Sequence, residues 1–187
     1  MWTGVLSVPN AITFARLCVL PWFLYLLFVQ NQRAGAALLL GVLGMTDWVD
    51  GWLARKFNQV SPFGSVFDPT VDRVLFVVAA ISVLIDGAVP QWFCIAILVR
   101  EVVVGGMMLG ATLLGMERFP VTRLGKWATF ALMAAVPWVT LGSAGGAWSV
   151  FTYMGWAVGI PGVFVSYKSF FQYLPTVRSH LASGRRS

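Results

Sequence analysis

The sequence predicts an all-α integral membrane protein, folded as one bundle of six transmembrane helices. Of its 187 residues, 58% are hydrophobic and only 11% are charged, whereas soluble proteins carry about 25% charged residues. The apolar residues also form six runs close to the length of about 20 residues that crosses a bilayer. These runs cover residues 12–29, 35–54, 66–85, 90–114, 124–141 and 150–174.

Short polar or glycine-rich connectors separate the runs, and neither a repeat nor a linker interrupts their order. We therefore expect a single domain over residues 1–187, with a short polar tail from about residue 176. The first segment, MWTGVLSVPN, is too short to span a membrane. It is expected to lie along the interface as a short amphipathic helix or to form an unstructured tail.

The cations predict how the bundle is oriented, because loops on the cytoplasmic side of a membrane are enriched in Lys and Arg. If the N-terminus is cytoplasmic, every cation-rich segment falls on the same side, and both ends of the chain lie there. We therefore expect a multi-pass protein of the cell (inner) membrane. The net charge of +6 is not gathered into a basic stripe, which argues against nucleic acid as a partner. The segments concerned contain Arg55, Lys56, Arg118, Arg123, Lys126, Lys168, Arg178, Arg185 and Arg186.

Four of the seven acidic residues lie between positions 47 and 72, at the cytoplasmic ends of the second and third runs. Asp47 and Asp50 are three residues apart, and Asp68 and Asp72 are four apart. These spacings place the members of each pair on one face of a helix. A short connector predicts that the two helices are antiparallel neighbours, so all four carboxylates are expected to converge.

Four converging carboxylates inside a membrane are unfavourable unless a cation neutralises them. Oxygen ligands of this kind suit Mg²⁺ or Mn²⁺, and four carboxylates are enough to hold two ions. Gly51, Ala54 and Gly64 leave room for a ligand to approach the backbone, and Arg55 can reach a phosphate. Buried acids also mark ion paths, so an ion or proton transporter is the alternative. The small residues and Arg55 among the acids favour an enzyme.

The eight positions Asp47, Asp50, Gly51, Ala54, Arg55, Gly64, Asp68 and Asp72 form the pattern D-x2-D-G-x2-A-R-x8-G-x3-D-x3-D. This pattern resembles that of the CDP-alcohol phosphotransferase family of membrane enzymes. The resemblance implies transfer of a phosphatidyl group from CDP-diacylglycerol to a hydroxyl acceptor, with release of CMP. It implies that all four aspartates bind metal and that Asp72 is also the general base.

The same resemblance implies a site for CDP-diacylglycerol made by Asn10, Thr13, Asp50, Gly51, Ala54, Arg55, Gly64 and Asp68. It also makes a homodimer plausible. The G-x-x-x-G spacings in GGMMLG and GWAVG indicate helix packing, and they could serve such a dimer.

Motifs outside the acidic segment restrict which alcohol is expected to be the acceptor. Three short motifs resemble the branch of phosphatidylglycerophosphate synthases and cardiolipin synthases. They are Pro9, Asn10, Thr13 and Arg16; Arg100 with Glu101; and Gly125 with Lys126. The phosphatidylglycerophosphate synthases usually have a further arginine where this chain has Met108. Glycerol 3-phosphate is close to dianionic and favours several cations, whereas phosphatidylglycerol is singly charged. The missing cation therefore favours phosphatidylglycerol slightly, with glycerol 3-phosphate as the alternative.

Four cations remain to hold either headgroup: Arg100, Arg118, Arg123 and Lys126. For Arg118 and Arg123, placement by membrane topology alone is an equally good interpretation.

Overall fold

The computed structural model describes residues 8–56, 64–113 and 123–183, with backbone only for 8–10, 47–56, 64–69, 108–109, 111–113, 123 and 173–183. All regular structure in these ranges is helical. The helices are α1 (Val8–Leu24), α2 (Arg33–Lys56), α3 (Gly64–Asp86), α4 (Gln91–Leu113), α5 (Arg123–Gly142) and α6 (Val150–Ser183). A π-helical turn, Tyr25–Val29, extends α1, and a 3-10 turn, Gly146–Ser149, precedes α6. The described helices match the six predicted runs in number and order.

Three stretches of the described chain are long and apolar enough to cross a membrane: Ala11–Val29, Leu124–Gly142 and Gly146–Gln172. Arg33–Thr46 is a shorter apolar helix. The all-helical fold is therefore confirmed, while the crossing of the membrane by all six helices stays a prediction. The predicted interfacial segment falls mostly on residues outside the described ranges, although residues 8–10 already belong to α1.

Helix α6 is longer than the sequence predicted. It continues to Ser183, through Pro175 and into the segment that was expected to be a polar tail. A proline removes one backbone hydrogen bond and bends a helix, but the helix can continue beyond it. No glycine occurs between Gly162 and Gly184, so the sequence contains no strong helix C-terminus signal before Ser183.

The predicted contact between α2 and α3 is present at one end of these helices, where Arg33 of α2 pairs with Asp86 of α3. The sequence predicted α2 and α3 as direct neighbours because their connector is short. In the described part of the chain, α1 packs against both of them, α2 packs further on α5, and α3 packs further on α4. Helix α1 carries a buried cation, Arg16, that binds Asp72 of α3, and this ion pair is one contact that brings α1 against α3.

The core lies between the helices, and its members are apolar side chains with almost no exposed surface. Aromatic side chains from α4 and α6 extend this core. The rings of Phe93 and Trp156 meet edge to face, with their centroids 5.0 Å apart. The largest fully buried apolar side chains are Phe23, Leu27, Val83, Val89, Phe93, Ile97, Leu132 and Val136.

Helices α5 and α6 make the closest contact in the described bundle, because glycines of α6 face α5. A Cβ atom built on Gly155 would lie 2.6 Å from Val139 Cγ2 and 2.9 Å from Val139 N. One built on Gly159 would lie 2.8 Å from Phe93 Cζ. These two glycines are the G-x-x-x-G of GWAVG, so their predicted role in helix packing is confirmed, and the packing is within the chain.

We expect Gly155→Ala to destabilise the protein by about 1–3 kcal/mol, because the added methyl group overpacks the contact with Val139. The matched control is Gly41→Ala in α2, where a Cβ meets nothing within 4 Å. Alanine is favoured over glycine in helices by roughly 0.5–1 kcal/mol, so this control is expected to be neutral or stabilising. The measurement is thermal unfolding in detergent, and equal shifts for both variants would contradict the packing role.

Candidate functional site

The acidic motif lies on two helices, as the sequence predicted. Asp47 and Asp50 belong to the second half of α2, and Asp68 and Asp72 belong to the first half of α3. Their spacings of three and four residues therefore place each pair on one helical face. Only the Asp72 side chain is described. For the other residues of the motif the structure describes the backbone alone. These residues are Asp47, Asp50, Gly51, Ala54, Arg55, Gly64 and Asp68.

The Asp72 carboxylate is held by an arginine from α1. Arg16 Nη1 donates to Asp72 Oδ1 at 2.7 Å. The Arg16 side chain is only 4% exposed and that of Asp72 is 22% exposed. A charge-assisted bond of this kind is strong and directional. The structure thus fixes Asp72 while leaving part of the carboxylate accessible, which is what a reactive or metal-binding carboxylate requires.

Thr13 lies one helical turn before Arg16, and its hydroxyl is completely buried. Arg16 Nη2 is 3.4 Å from Thr13 Oγ1, at the long end of hydrogen-bond distance. The structure therefore brings together two predicted positions, Thr13 and Asp72, through Arg16. Arg16 was part of the N-terminal motif, but nothing in that motif pointed to a partner 56 residues away. The side chain of Asn10, also on α1, is not described.

Arg100 lies at the centre of a second polar network, which joins α4, α5 and α6. Its Nε donates to Ser166 Oγ at 2.7 Å and its Nη2 donates to Thr129 Oγ1 at 2.7 Å. Its Nη1 binds the Glu101 carboxylate. Arg100 and Glu101 are each 8% exposed, so the charged pair is buried within the bundle. Sequence reasoning missed Thr129 and Ser166, and the only signal for them is a hydroxyl within an apolar run.

The remaining predicted acceptor cations lie at the beginning of α5 or before it. Lys126 is exposed, on the first turns of α5. Arg123 is the first residue of α5, with backbone only described, and Arg118 lies outside the described residues. The contacts of Arg100 fasten three helices together, so its predicted contact with the acceptor stays a prediction that the described geometry does not test.

The opposite end of the bundle has an ion pair of its own. Arg33 Nε donates to Asp86 Oδ2 at 2.8 Å, and Arg33 Nη2 donates to the Asp86 main-chain oxygen at 2.9 Å. The pair joins the start of α2 to the end of α3. It borders a cleft of about 600 Å³ that is also lined by Asn31, Gln32 and Ser143. None of the predicted site residues lines this cleft, so it is separate from the acidic site.

A metal site was predicted at the four aspartates. Among the side chains that the structure describes, no group of three potential ligands occurs, and three of the four aspartates are not in that set. The donor chemistry fits a hard divalent cation, because all four groups are carboxylates. Arg16 uses one oxygen of Asp72, and a carboxylate has about four acceptor positions, so this ion pair is compatible with a metal nearby.

The fold and the site define a helical membrane protein with a carboxylate-rich site at one end of the bundle. The sequence profile of the CDP-alcohol phosphatidyltransferase family matches residues 6–161. This match covers all four aspartates, Arg16 and the Arg100 network up to α5. The chain belongs to the CDP-alcohol phosphatidyltransferase family, whose enzymes use CDP-diacylglycerol and an alcohol acceptor.

Curated relatives fall into two groups by name. A Mycobacterium bovis protein provisionally named cardiolipin synthase is 35% identical over 170 residues, covering 90% of this chain and 81% of the relative. The cardiolipin synthase (CMP-forming) of Streptomyces coelicolor is 36% identical over 163 residues, covering 82% and 74%. The CDP-diacylglycerol–glycerol-3-phosphate 3-phosphatidyltransferase of Rickettsia typhi is 38% identical over 141 residues, covering 74% and 79%.

Proposed function

We propose that this protein transfers a phosphatidyl group from CDP-diacylglycerol to a hydroxyl of a glycerol-type acceptor in phospholipid biosynthesis. The observation that carries the proposal is the Asp72 carboxylate, fixed by Arg16 at 2.7 Å and partly accessible, at the last position of the family's aspartate pattern. The acceptor oxygen attacks the phosphatidyl phosphorus, and the phosphorus–oxygen bond to CMP breaks. Asp72 takes the acceptor's proton, and CMP leaves with the bonding electrons.

The chain's contribution to this step is positioning together with charge neutralisation, which dominate phosphoryl transfer. Asp72 must lie within hydrogen-bond reach of the acceptor hydroxyl, and Arg16 restricts where its carboxylate can go. Asp47, Asp50, Asp68 and Asp72 would hold one or two divalent ions, Mg²⁺ or Mn²⁺. When bound, such ions neutralise the charge on the diphosphate.

We assign the donor nucleotide to the face of α1 and α2 next to these acids. Thr13 supports the assignment, because its buried hydroxyl lies in the same cluster as Arg16 and Asp72. The remaining assignments rest on the family pattern: Asn10, Asp50, Gly51, Ala54, Arg55, Gly64 and Asp68 contact CDP-diacylglycerol. Both termini and this end of the bundle face the cytoplasm in our proposal, which thiol labelling of single cysteines placed in the loops would check.

For the acceptor we propose phosphatidylglycerol, which would make the product cardiolipin. Met108 supports this choice, because it stands where the glycerol 3-phosphate enzymes usually carry an arginine. Arg100, Arg118, Arg123 and Lys126 are the proposed acceptor cations. Glycerol 3-phosphate is the second candidate, since relatives with either name match this chain. A homodimer is part of the proposal and is testable by cross-linking in membranes.

The deciding experiment incubates the purified protein with CDP-diacylglycerol and either phosphatidylglycerol or glycerol 3-phosphate, and identifies the lipid product. We expect CMP release and cardiolipin with the first acceptor. Chelation with EDTA should abolish release, and Mg²⁺ or Mn²⁺ should restore it. Phosphatidylglycerophosphate as the sole product would overturn the acceptor assignment. Absence of CMP release with both acceptors, together with ion flux in liposomes, would favour the transporter instead.

A further inference from the structure

The hydroxyl of Thr129 makes two bonds that join α4 to the beginning of α5. It accepts from Arg100 Nη2 at 2.7 Å and donates to the main-chain oxygen of Gly125 at 3.0 Å. Because the same oxygen is both acceptor and donor, its proton can point in only one direction, towards Gly125. The result is a continuous chain of hydrogen bonds from Arg100 to the first turn of α5.

A threonine hydroxyl that bonds to the carbonyl four residues earlier is common in helices. Thr140, on the same helix, makes this bond alone, to the Val136 carbonyl at 2.8 Å. Thr129 differs because a buried, charged arginine is its second partner. Arg100 is itself held by Ser166 of α6 and by Glu101. The Thr129 hydroxyl therefore links α5 to an arginine whose position is already set by its other partners.

The carbonyl that Thr129 binds belongs to the peptide group that links Gly125 to Lys126. Lys126 is exposed on the first turns of α5, while Gly125 is buried. Lys126 and Thr129 are three residues apart and so lie on one face of the helix. Fixing this peptide group therefore fixes where the Lys126 side chain leaves the helix.

We propose that Thr129 is a positioning residue for the acceptor: through Gly125 it sets the direction in which Lys126 meets an acceptor phosphate. The proposal rests on the proposed function, in which Lys126 holds that phosphate. Beside its proposed role as an acceptor cation, Arg100 would then also act indirectly, through the hydroxyl of Thr129.

The test is steady-state kinetics of CMP release by the full chain in detergent micelles, varying the acceptor and CDP-diacylglycerol separately. Thr129→Val removes the hydroxyl at almost constant shape. We expect its KM for the acceptor to rise roughly three- to tenfold, the effect of one lost hydrogen bond. The KM for CDP-diacylglycerol should stay within about twofold, because a bond that positions Lys126 bears on acceptor binding alone. Thr129→Ser should restore the wild-type acceptor KM.

Two further variants separate positioning from a general structural role. Thr140→Val removes the corresponding back-bond about 16 Å further along α5 and should leave both KM values unchanged. In a Lys126→Gln background, Thr129→Val should no longer raise the acceptor KM, because the two residues act through the same contact.

Equal rises in both KM values, or the same effect from Thr140→Val, would overturn the proposal. If Thr129→Val does not fold, Thr129→Ala removes the same hydroxyl with less bulk; if neither folds, the hydroxyl serves stability and the proposal fails. Lack of CMP release by the unmodified protein would instead overturn the proposed function, so the two failures are distinguishable.

Discussion

Replacing Asp72 with asparagine is expected to lower the rate of CMP release by about 10²–10⁴-fold, the range for loss of a general base. Asparagine keeps the shape and can still accept a hydrogen bond from Arg16, but it leaves the buried guanidinium without its counter-charge, so thermal unfolding should be measured beside the rate. It cannot take the acceptor's proton, because an amide oxygen is a very weak base. The rate should be measured at saturating acceptor and saturating CDP-diacylglycerol, which separates the chemical step from binding.

The chain offers a closely matched control for this variant. Asp86 lies on the same helix, α3, and is also paired with an arginine, Arg33, at 2.8 Å. Asp86→Asn is therefore the same chemical change at the other end of the helix. We expect its rate to stay within about twofold of wild type, since Asp86 lines a separate cleft, and none of the proposed site residues that the structure describes borders it. An Asp72→Asn protein as active as Asp86→Asn would refute the base assignment.

Replacing Arg16 with methionine is expected to have the second-largest effect, because it removes the buried guanidinium that holds Asp72. Misplacing a reactive group by about 1 Å can cost about 10²-fold in rate, and we expect a loss of that order. Breaking a buried ion pair also destabilises a fold by about 3–5 kcal/mol, so thermal unfolding should fall with activity. Arg16→Lys keeps the charge and should recover part of both.

Arg33→Met provides the comparison for Arg16. The Arg33 side chain is 36% exposed, although that of Asp86 is only 11% exposed, so we expect a loss of stability from the unpaired carboxylate and no loss of rate. A double variant, Arg16→Met with Asp72→Asn, should recover part of the stability lost in Arg16→Met, because it no longer contains the unpaired, partly buried carboxylate of Asp72. Recovery of stability without recovery of activity would show the two roles of Asp72 separately.

Helix order could be predicted from the sequence because hydropathy acts locally. The predicted end of the third run at residue 85 and the observed end of α3 at Asp86 agree, since Gly87 follows with a positive φ of 73°, typical of a helix C-terminus. The end of α6 could not be predicted in this way. The run was predicted to end at residue 174, just before Pro175, but a helix continues past a proline when its other hydrogen bonds remain.

The partners of the charged residues were less predictable. Asp72 stood out because it belongs to a regular spacing on one helix, whereas Arg16 binds it from another helix. A single sequence does not say which distant cation reaches a given acid. Arg100 shows the same difficulty, because a cation in an apolar run can either bind a lipid headgroup or pair with other buried polar side chains. Only the packing of α4 against α6 shows that Ser166 is close enough to bind it.

The two arginine–aspartate pairs on α3 have a mechanical consequence. Asp72 and Asp86 are fourteen residues apart, about 21 Å along the helix axis, and α1 holds the first while α2 holds the second. The first lies towards the middle of α3 and the second is its last residue, so two different neighbours oppose sliding and rotation of the helix about its axis. Helix α3 therefore keeps its register relative to both neighbours, which holds Asp72 at a constant depth in the bundle.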